Sequence, residues 1–500
     1  MTTERIALQT WDWIVLLAYF AGMLAIGYYY SRRNKNTEDY MLGGRKMTSW
    51  RVGLSFFATM FSTVSYLSMP GEMVKNGPMM WSFLAAFPFI YLIVAIFFIP
   101  YIMKLKISSA YELLELRLGP KNRMLASIYF LVMRLVWMAV IIYMLADKVI
   151  VPIMGWPVET ARWVSLIMGL ITITYTSFGG LRGVVLTDVV QTLVLFGGSI
   201  VAILVIVSDL GGASAIIPTQ WPEHWQGWIF FDTQARVSFM TAFLSMFGWH
   251  VCTAGSDQMA IQRYLATRNT KAAQRMYLSH IVSNVLVFVL LAILGLSVMA
   301  FYQKNASLIP LGQTLTSAAD QLFPHFIVAG LPVGLSGLVL AALFAAAMSS
   351  LSSGINSSCL VIIKDFVLVF RRQPMDEGKQ VTLAKWISVL IGLVVVLTSL
   401  GIGYIKGNLL EMTYKTINLL TAPLFVPFFM AMFVPRAKPT AVFIGTLFSG
   451  VTAALISYSH ELFSVTISFL WIIPGSFVAG IAACWLLSVL CFKNEKARPL

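Results

Sequence analysis

The sequence predicts an all-α membrane protein, a bundle of about thirteen transmembrane helices, and three observations predict it. Of its 500 residues 58% are hydrophobic and only 11% charged, where a soluble domain carries about 25% charged residues. The mean hydropathy is +0.81. The apolar residues gather into runs of about twenty along the whole chain, the length that crosses a hydrocarbon layer ~30 Å thick. One soluble core cannot account for that spacing.

The runs place spans at 11–31, 51–75, 79–103, 124–148, 160–177, 183–208, 237–256, 275–301, 331–363, 383–404, 409–433, 437–458 and 464–490. The first is too long for a cleaved signal peptide and has the wrong charge order, with Glu4 before it and Arg32, Arg33 and Lys35 after it. The net charge of +14 follows the same topology. Alternate loops hold most of the 35 basic residues: Arg45, Lys46 and Arg51, then Lys104, Lys106, Arg117, Lys121 and Arg123, then Arg182, then Arg263, Arg268, Lys271 and Arg275. Lys364, Arg371, Arg372, Lys379, Lys385, Arg436, Lys438, Lys493, Lys496 and Arg498 continue the set. The opposite loops hold few, among them Arg5, Lys75, Arg162, Arg236 and Lys406. Positive loops stay cytoplasmic, so the N-terminus is expected outside and the C-terminus inside. The charge is therefore topological, and no nucleic-acid partner is expected. Cys252, Cys359, Cys484 and Cys491 all fall within or at the end of spans, so no disulfide framework is expected. The outer loop 209–235, with Trp221, Trp225 and Trp228, reads as an interfacial lid or belt.

Two spans read as interrupted. In the second, 57–72 places Ser62, Thr63, Ser65 and Ser68 mid-membrane, with Pro70 following. In the seventh, 247–258 brackets His250, Thr253 and Ser256 between Gly248 and Gly255. Paired broken helices in equivalent positions of two halves point to an inverted-repeat transporter with its site at the midplane. Unwound backbone inside a bilayer must be satisfied by ions, solute, water or protein. The competing reading is that small and hydroxyl residues only let helices pack closely.

The ninth span carries a serine ladder over 345–358. Residues three and four apart share a helix face, so Ala346, Ser349 and Ser350 cluster, as do Ser349, Ser352 and Ser353. Hydroxyls and freed carbonyls supply oxygen ligands for a sodium ion that must also leave; alternatively these serines bond back to their own helix. Asp188 stands about one turn inside the sixth span, where a carboxylate is costly unless paired or ion-bound. It reads either as a cation ligand facing the serines or as a helix-start carboxylate favoured by the dipole.

Four stretches, 109–119 (SAYELLELRLG), 175–191 (YTSFGGLRGVVLTDVVQ), 256–269 (SDQMAIQRYLATRN) and the serine ladder, resemble the sodium/solute symporter family with its LeuT-type fold. The resemblance implies a 5+5 inverted repeat: a first half over 51–208, an inverted second half over 237–433, an extra N-terminal helix at 11–31 and two C-terminal helices within 437–490. It implies a main sodium site of Ala58, Phe61 and Ala346 carbonyls with Ser349 and Ser350 hydroxyls. Some members bind a second sodium through Asp188, Ser349, Ser352 and Ser353, so one or two sodium ions are expected. Gly183, Val426 and Ala431 depart from the family pattern.

The energetics accommodate an organic anion. Moving one charge through 100 mV is worth about 2.3 kcal/mol and a tenfold gradient adds about 1.4. One sodium then supports about a 500-fold gradient of a neutral solute, and a second more than offsets the roughly 2.3 kcal/mol penalty on a monoanion. The run 61–72 is similar to the branches that carry monocarboxylates, vitamins, iodide or sialic acid. In the sialic-acid branch, hydroxyls matching Ser62 and Ser65 would hold a carboxylate, and its partnering arginine falls at Trp137 here. Arg134 lies one turn away and is a functional candidate; its alternatives are a structural bond to a backbone carbonyl or to Asp147. His250 reads equally as a solute contact or a hydrogen-bonded core histidine. A sodium-coupled sugar or polyol symporter is the alternative, and a channel or sensor on the same bundle is the alternative of another class. An enzyme is not expected, and no oligomer is required.

Overall fold

The computed structural model describes residues 8–33, 36–105, 107–309, 312–371, 375–402, 409–465, 467–492 and 495, without side chains for 409–417. Of the loop residues counted above, Arg5, Lys35, Lys106, Arg372, Lys406, Lys493, Lys496 and Arg498 lie outside the described residues, as does Glu4. Each of the thirteen apolar segments carries helix. The main helices in chain order, two of them (α8 and α10) outside those segments, are α1 (Thr10–Ser31), α2 (Ser49–Met60), α3 (Thr63–Asn76), α4 (Pro78–Lys104), α5 (Pro120–Met154), α6 (Ala161–Leu210), α7 (Phe239–Ser256) and α8 (Gln258–Ala266). There follow α9 (Thr270–Lys304), α10 (Ala319–Ala329), α11 (Leu335–Phe370), α12 (Glu377–Ser399), α13 (Leu409–Phe433), α14 (Pro439–Ser457) and α15 (Phe469–Leu490).

Among the described residues, nine helices are long and apolar enough to span a membrane, or ten when the bent pair α2–α3 counts as one. Part of the difference from thirteen segments is local. Segments 160–177 and 183–208 are one helical run, α6, kinked at Gly180 (φ 58°, ψ −167°). Only glycine takes that backbone conformation readily, so the chain turns there without a loop.

α11 is the axis of the bundle. It packs against α1, α2, α5, α6 and α12, and 94% of its most apolar window is buried. Its many small residues let neighbouring helices approach on every side. Its start is tied to α1: the buried Asp12 Oδ1 accepts hydrogen bonds from Gly334 N at 2.7 Å and Gly337 N at 3.0 Å. A carboxylate there satisfies orphan amides and complements the helix dipole. α14 and α15 pack on each other and on α13.

The outer loop is not uniformly a belt. Trp225 is buried beneath Gly77 and donates to Val74 O at 3.3 Å, whereas Trp221 and Trp228 are exposed. A methyl at Gly183 would touch only Tyr30, at 3.6 Å, so alanine fits where this chain has glycine.

Candidate ion and solute sites

The second span breaks as its hydroxyl-rich sequence predicts. α2 ends at Met60, Phe61 (φ −92°, ψ 116°) and Ser62 (φ −102°, ψ 161°) are extended, and α3 starts at Thr63 with its axis turned by 68°. Ser62 caps α3 by accepting from Ser65 N at 3.4 Å. Pro70 is carried inside α3 and does not end it. The break strips intrahelical partners from the last carbonyls of α2, and α11 supplies replacements. Ser349 Oγ donates to Ala58 O at 2.9 Å and to Ala346 O at 3.1 Å. Ser350 Oγ lies 3.1 Å from Thr59 O and 3.4 Å from Phe61 O. The five expected ligand residues of the main sodium site thus meet around two hydroxyls, all buried. Each hydroxyl retains lone pairs that can turn to a cation.

Asp188 lies beside this cluster and is fully buried. Its Oδ2 accepts from Ser55 Oγ at 2.6 Å, Ser353 Oγ at 3.3 Å and, weakly, Thr59 Oγ1 at 3.5 Å. Its Oδ1 has no hydrogen-bond partner. A bare carboxylate oxygen in the membrane interior is costly unless a cation answers it, so the donor set fits a second ion. Ser352 instead donates to Ser349 O at 3.0 Å, the back-bonded alternative, so the structure brings Ser353 but not Ser352 into hydrogen-bond contact with Asp188. The alternative reading of Asp188 as a helix-start residue is not favoured: it lies eight residues past the Gly180 kink, beyond the first turn of the second segment of α6 where the dipole acts.

Arg263 requires a larger correction. Read from sequence as a cytoplasmic loop cation, it is fully buried on α8. Its Nη2 lies 3.6 Å from Asp188 Oδ2, donates to Thr59 Oγ1 at 2.8 Å and bonds Ser353 Oγ. Its apolar surroundings in 256–269, MAIQ before and YLA after, were the available signal.

The seventh-span break falls inside the expected run 247–258, at its far end. α7 runs unbroken through Gly248 and Gly255, and the interruption is a single extended residue, Asp257 (φ −78°, ψ 127°). The two glycines serve close packing instead: a methyl at Gly255 would collide with the Phe425 ring, and one at Gly248 would press on Ile473. Asp257 caps α8 by accepting from Met259 N at 2.8 Å, and its other oxygen is ion-paired to Arg134. Neither Asp147 nor a backbone carbonyl is the arginine's partner; Asp147 pairs with Lys148 at 2.9 Å.

Between these two breaks lies a cavity with about 940 Å³ of empty volume, its solvent-open part included. It is lined by all five sequence-proposed solute residues, Ser62, Ser65, Arg134, Trp137 and His250. The guanidinium of Arg134 lies over the Trp137 ring, 4.6 Å from its centroid, a cation–π contact. His250 is set between Phe87 and Trp249, with ring centroids at 5.1 and 4.8 Å. Asp257, Asn284, Asn418 and Thr421 also line the cavity. Sequence reasoning missed these because neutral amides and a lone threonine carry no pattern; Asp257 alone had a signal, as a capping residue after a small-residue run.

The family model described as the sodium:solute symporter family matches residues 40–449. The sodium/sialic acid symporter SiaT of Proteus mirabilis is 30% identical over 493 residues, covering 94% of this chain and 95% of its own. The sodium-coupled monocarboxylate transporter 1 of Homo sapiens is 29% identical, covering 87% and 71%. A solved sodium-coupled sialic acid symporter in a substrate-bound outward-open state superposes with a TM-score of 0.85 at 27% identity, over 98% of this chain and all of that one. A nucleobase–cation symport family transporter in a closed conformation, 13% identical with a TM-score of 0.55 over 91% of this chain and 94% of its own, shares the fold alone. The chain therefore belongs to the sodium:solute symporter family: an all-α, multi-pass membrane transporter of LeuT-type fold that couples a small solute to sodium and is not an enzyme.

Proposed function

We propose that this chain imports a small organic anion, of sialic-acid or monocarboxylate type, with two sodium ions, by alternating access. One observation carries the reading: the break at Phe61 and Ser62 serves both sites. Phe61 O faces Ser350 Oγ, while the Phe61 and Ser62 side chains line the cavity. An ion bound there screens the dipoles of the unwound carbonyls and fixes the break, so solute and ion favour the same conformer. The main ion is held by Ala58, Phe61, Ala346, Ser349 and Ser350, and the second by the Asp188 carboxylate with Ser349, Ser352 and Ser353. For the second set Ser352 turns from the Ser349 carbonyl when the ion binds.

At the solute, Ser62 and Ser65 donate to a carboxylate, and Arg134, stacked on Trp137 and paired with Asp257, turns its remaining N–H donors to it. His250, Asn284, Asn418 and Thr421 meet the remaining polar substituents. Relatives named for sialic acid and for monocarboxylates support the anion class. The halves 51–208 and 237–433 form the inverted repeats, and the loop charges support an outside N-terminus and a cytoplasmic C-terminus.

Thermal stabilisation of the purified protein by N-acetylneuraminate, short monocarboxylates and hexoses, with and without sodium, tests this. A true solute stabilises by mass action and more strongly with sodium present. Stabilisation by hexoses alone would overturn the anion reading in favour of a sugar symporter.

A further inference from the structure

Asp188 is not an open carboxylate waiting for an ion. Four groups of this chain approach its Oδ2, and one of them, Arg263, carries a full positive charge at 3.6 Å. Neither side chain has measurable exposure. The guanidinium also holds Thr59 and Ser353, two of the three hydroxyls that approach the carboxylate, and its second amino group is anchored on Met259 O at 3.2 Å within its own helix. Oδ1 is left without a partner.

We propose that Arg263 is a tethered cation that shares Asp188 with the second sodium and, by neutralising the carboxylate when the ion is absent, keeps that sodium weakly bound. This inference rests on the reading of Asp188 as a sodium ligand. Sodium entering a site around a bare carboxylate would be held tightly, and its departure would strand a negative charge among apolar helices. With Arg263 in place, the departing ion leaves a neutral pair. An arriving ion binds Oδ1 against the repulsion of a guanidinium on the other oxygen. A charge a few ångströms away in a site of effective dielectric near 20 changes a cation's affinity by about tenfold or more. The arrangement sacrifices affinity for release, which a carrier discharging into the cytoplasm needs.

The test reads sodium-dependent thermal stabilisation of the purified full chain, with sodium chloride titrated against choline chloride. Arg263→Gln should shift the half-maximal sodium concentration about tenfold lower, while Arg263→Lys, which keeps the charge, should leave it near that of the parent protein. Asp188→Asn should raise it. The double variant Asp188→Asn/Arg263→Gln removes both charges and guards against a variant that fails to fold, because a buried pair replaced together is tolerated where half a pair is not. It should bind sodium more tightly than Asp188→Asn alone. An unchanged sodium dependence in Arg263→Gln, or equal affinities in the double and in Asp188→Asn, overturns the role of Arg263. An unchanged dependence in Asp188→Asn instead removes Asp188 from the ion site, a failure of the underlying reading.

Discussion

The two helix breaks differ in what satisfies them. At Phe61–Ser62 the exposed groups are carbonyls, and among the described residues the side chains that reach them are the hydroxyls of Ser349 and Ser350, neutral donors that a cation can displace. At Asp257 the exposed groups are amides, and the residue in the gap caps them itself while its charge is cancelled by Arg134. The first break is closed by neutral hydroxyls alone; the second is closed by its own capping carboxylate and a buried ion pair. An interrupted membrane helix is therefore a binding site only where the protein leaves the freed groups to weak or mobile partners.

The strongest way to break this comparison is at the hydroxyls. Ser349→Ala and Ser350→Ala should each weaken sodium by about tenfold or more and remove gradient-driven uptake, since each deletes an oxygen and orphans a buried carbonyl. Uptake into proteoliposomes across a sodium gradient measures it. Unaltered ion dependence in both would mean the first break is as self-contained as the second.

Next in size is the pair at the second break. Arg134→Ala leaves the Asp257 carboxylate buried and unpaired, and losing one partner of a buried pair costs about 3–5 kcal/mol. Arg134→Ala/Asp257→Ala should recover most of that stability in thermal melts yet still bind an anionic solute weakly, while sodium-induced stabilisation persists. Recovery of solute affinity in the double variant would make Arg134 purely structural.

These variants also mark where the sequence stops being informative. The first break was legible because a cluster of hydroxyls followed by a proline interrupts an apolar run, and the serine ladder because helical spacing alone puts 349, 350 and 353 on neighbouring faces. The second break was legible only to the run 247–258, because the bracketing Gly248 and Gly255 lie within unbroken helix and are small for the sake of Ile473 and Phe425. Arg263 was missed because counting charge by loop assigns every cation near a span end to water. Only tertiary contact shows that all nine residues of α8 are buried. The Arg134–Asp257 and Arg263–Asp188 pairs join residues 123 and 75 positions apart, beyond any local pattern.

Packing at the second break gives a smaller effect. Gly255→Ala forces a methyl against the rings of Phe425 and Phe98, and overpacking of this kind costs about 1–3 kcal/mol. A lowered melting temperature with an unchanged half-maximal sodium concentration is the expected result. A change in sodium dependence would instead make Gly255 part of the ion site's conformational cycle.

The smallest effect belongs to a third set of helix-end groups, the amides that open α11. They are satisfied by Asp12 from α1, so they resemble the second break and not the first. Asp12→Asn keeps an acceptor oxygen for Gly334 and Gly337 but removes the charge that complements the helix dipole, an interaction of about 0.3–1 kcal/mol in exposed settings and up to ~2 when buried. Thermal melts should register that loss. Sodium stabilisation should not move, because Ser349 lies four turns further along the helix, beyond the reach of a dipole effect confined to its first turn. A shifted sodium dependence would mean that α1 positions α11 along its own axis and thereby sets the distance between Ser349 and the carbonyl of Ala58.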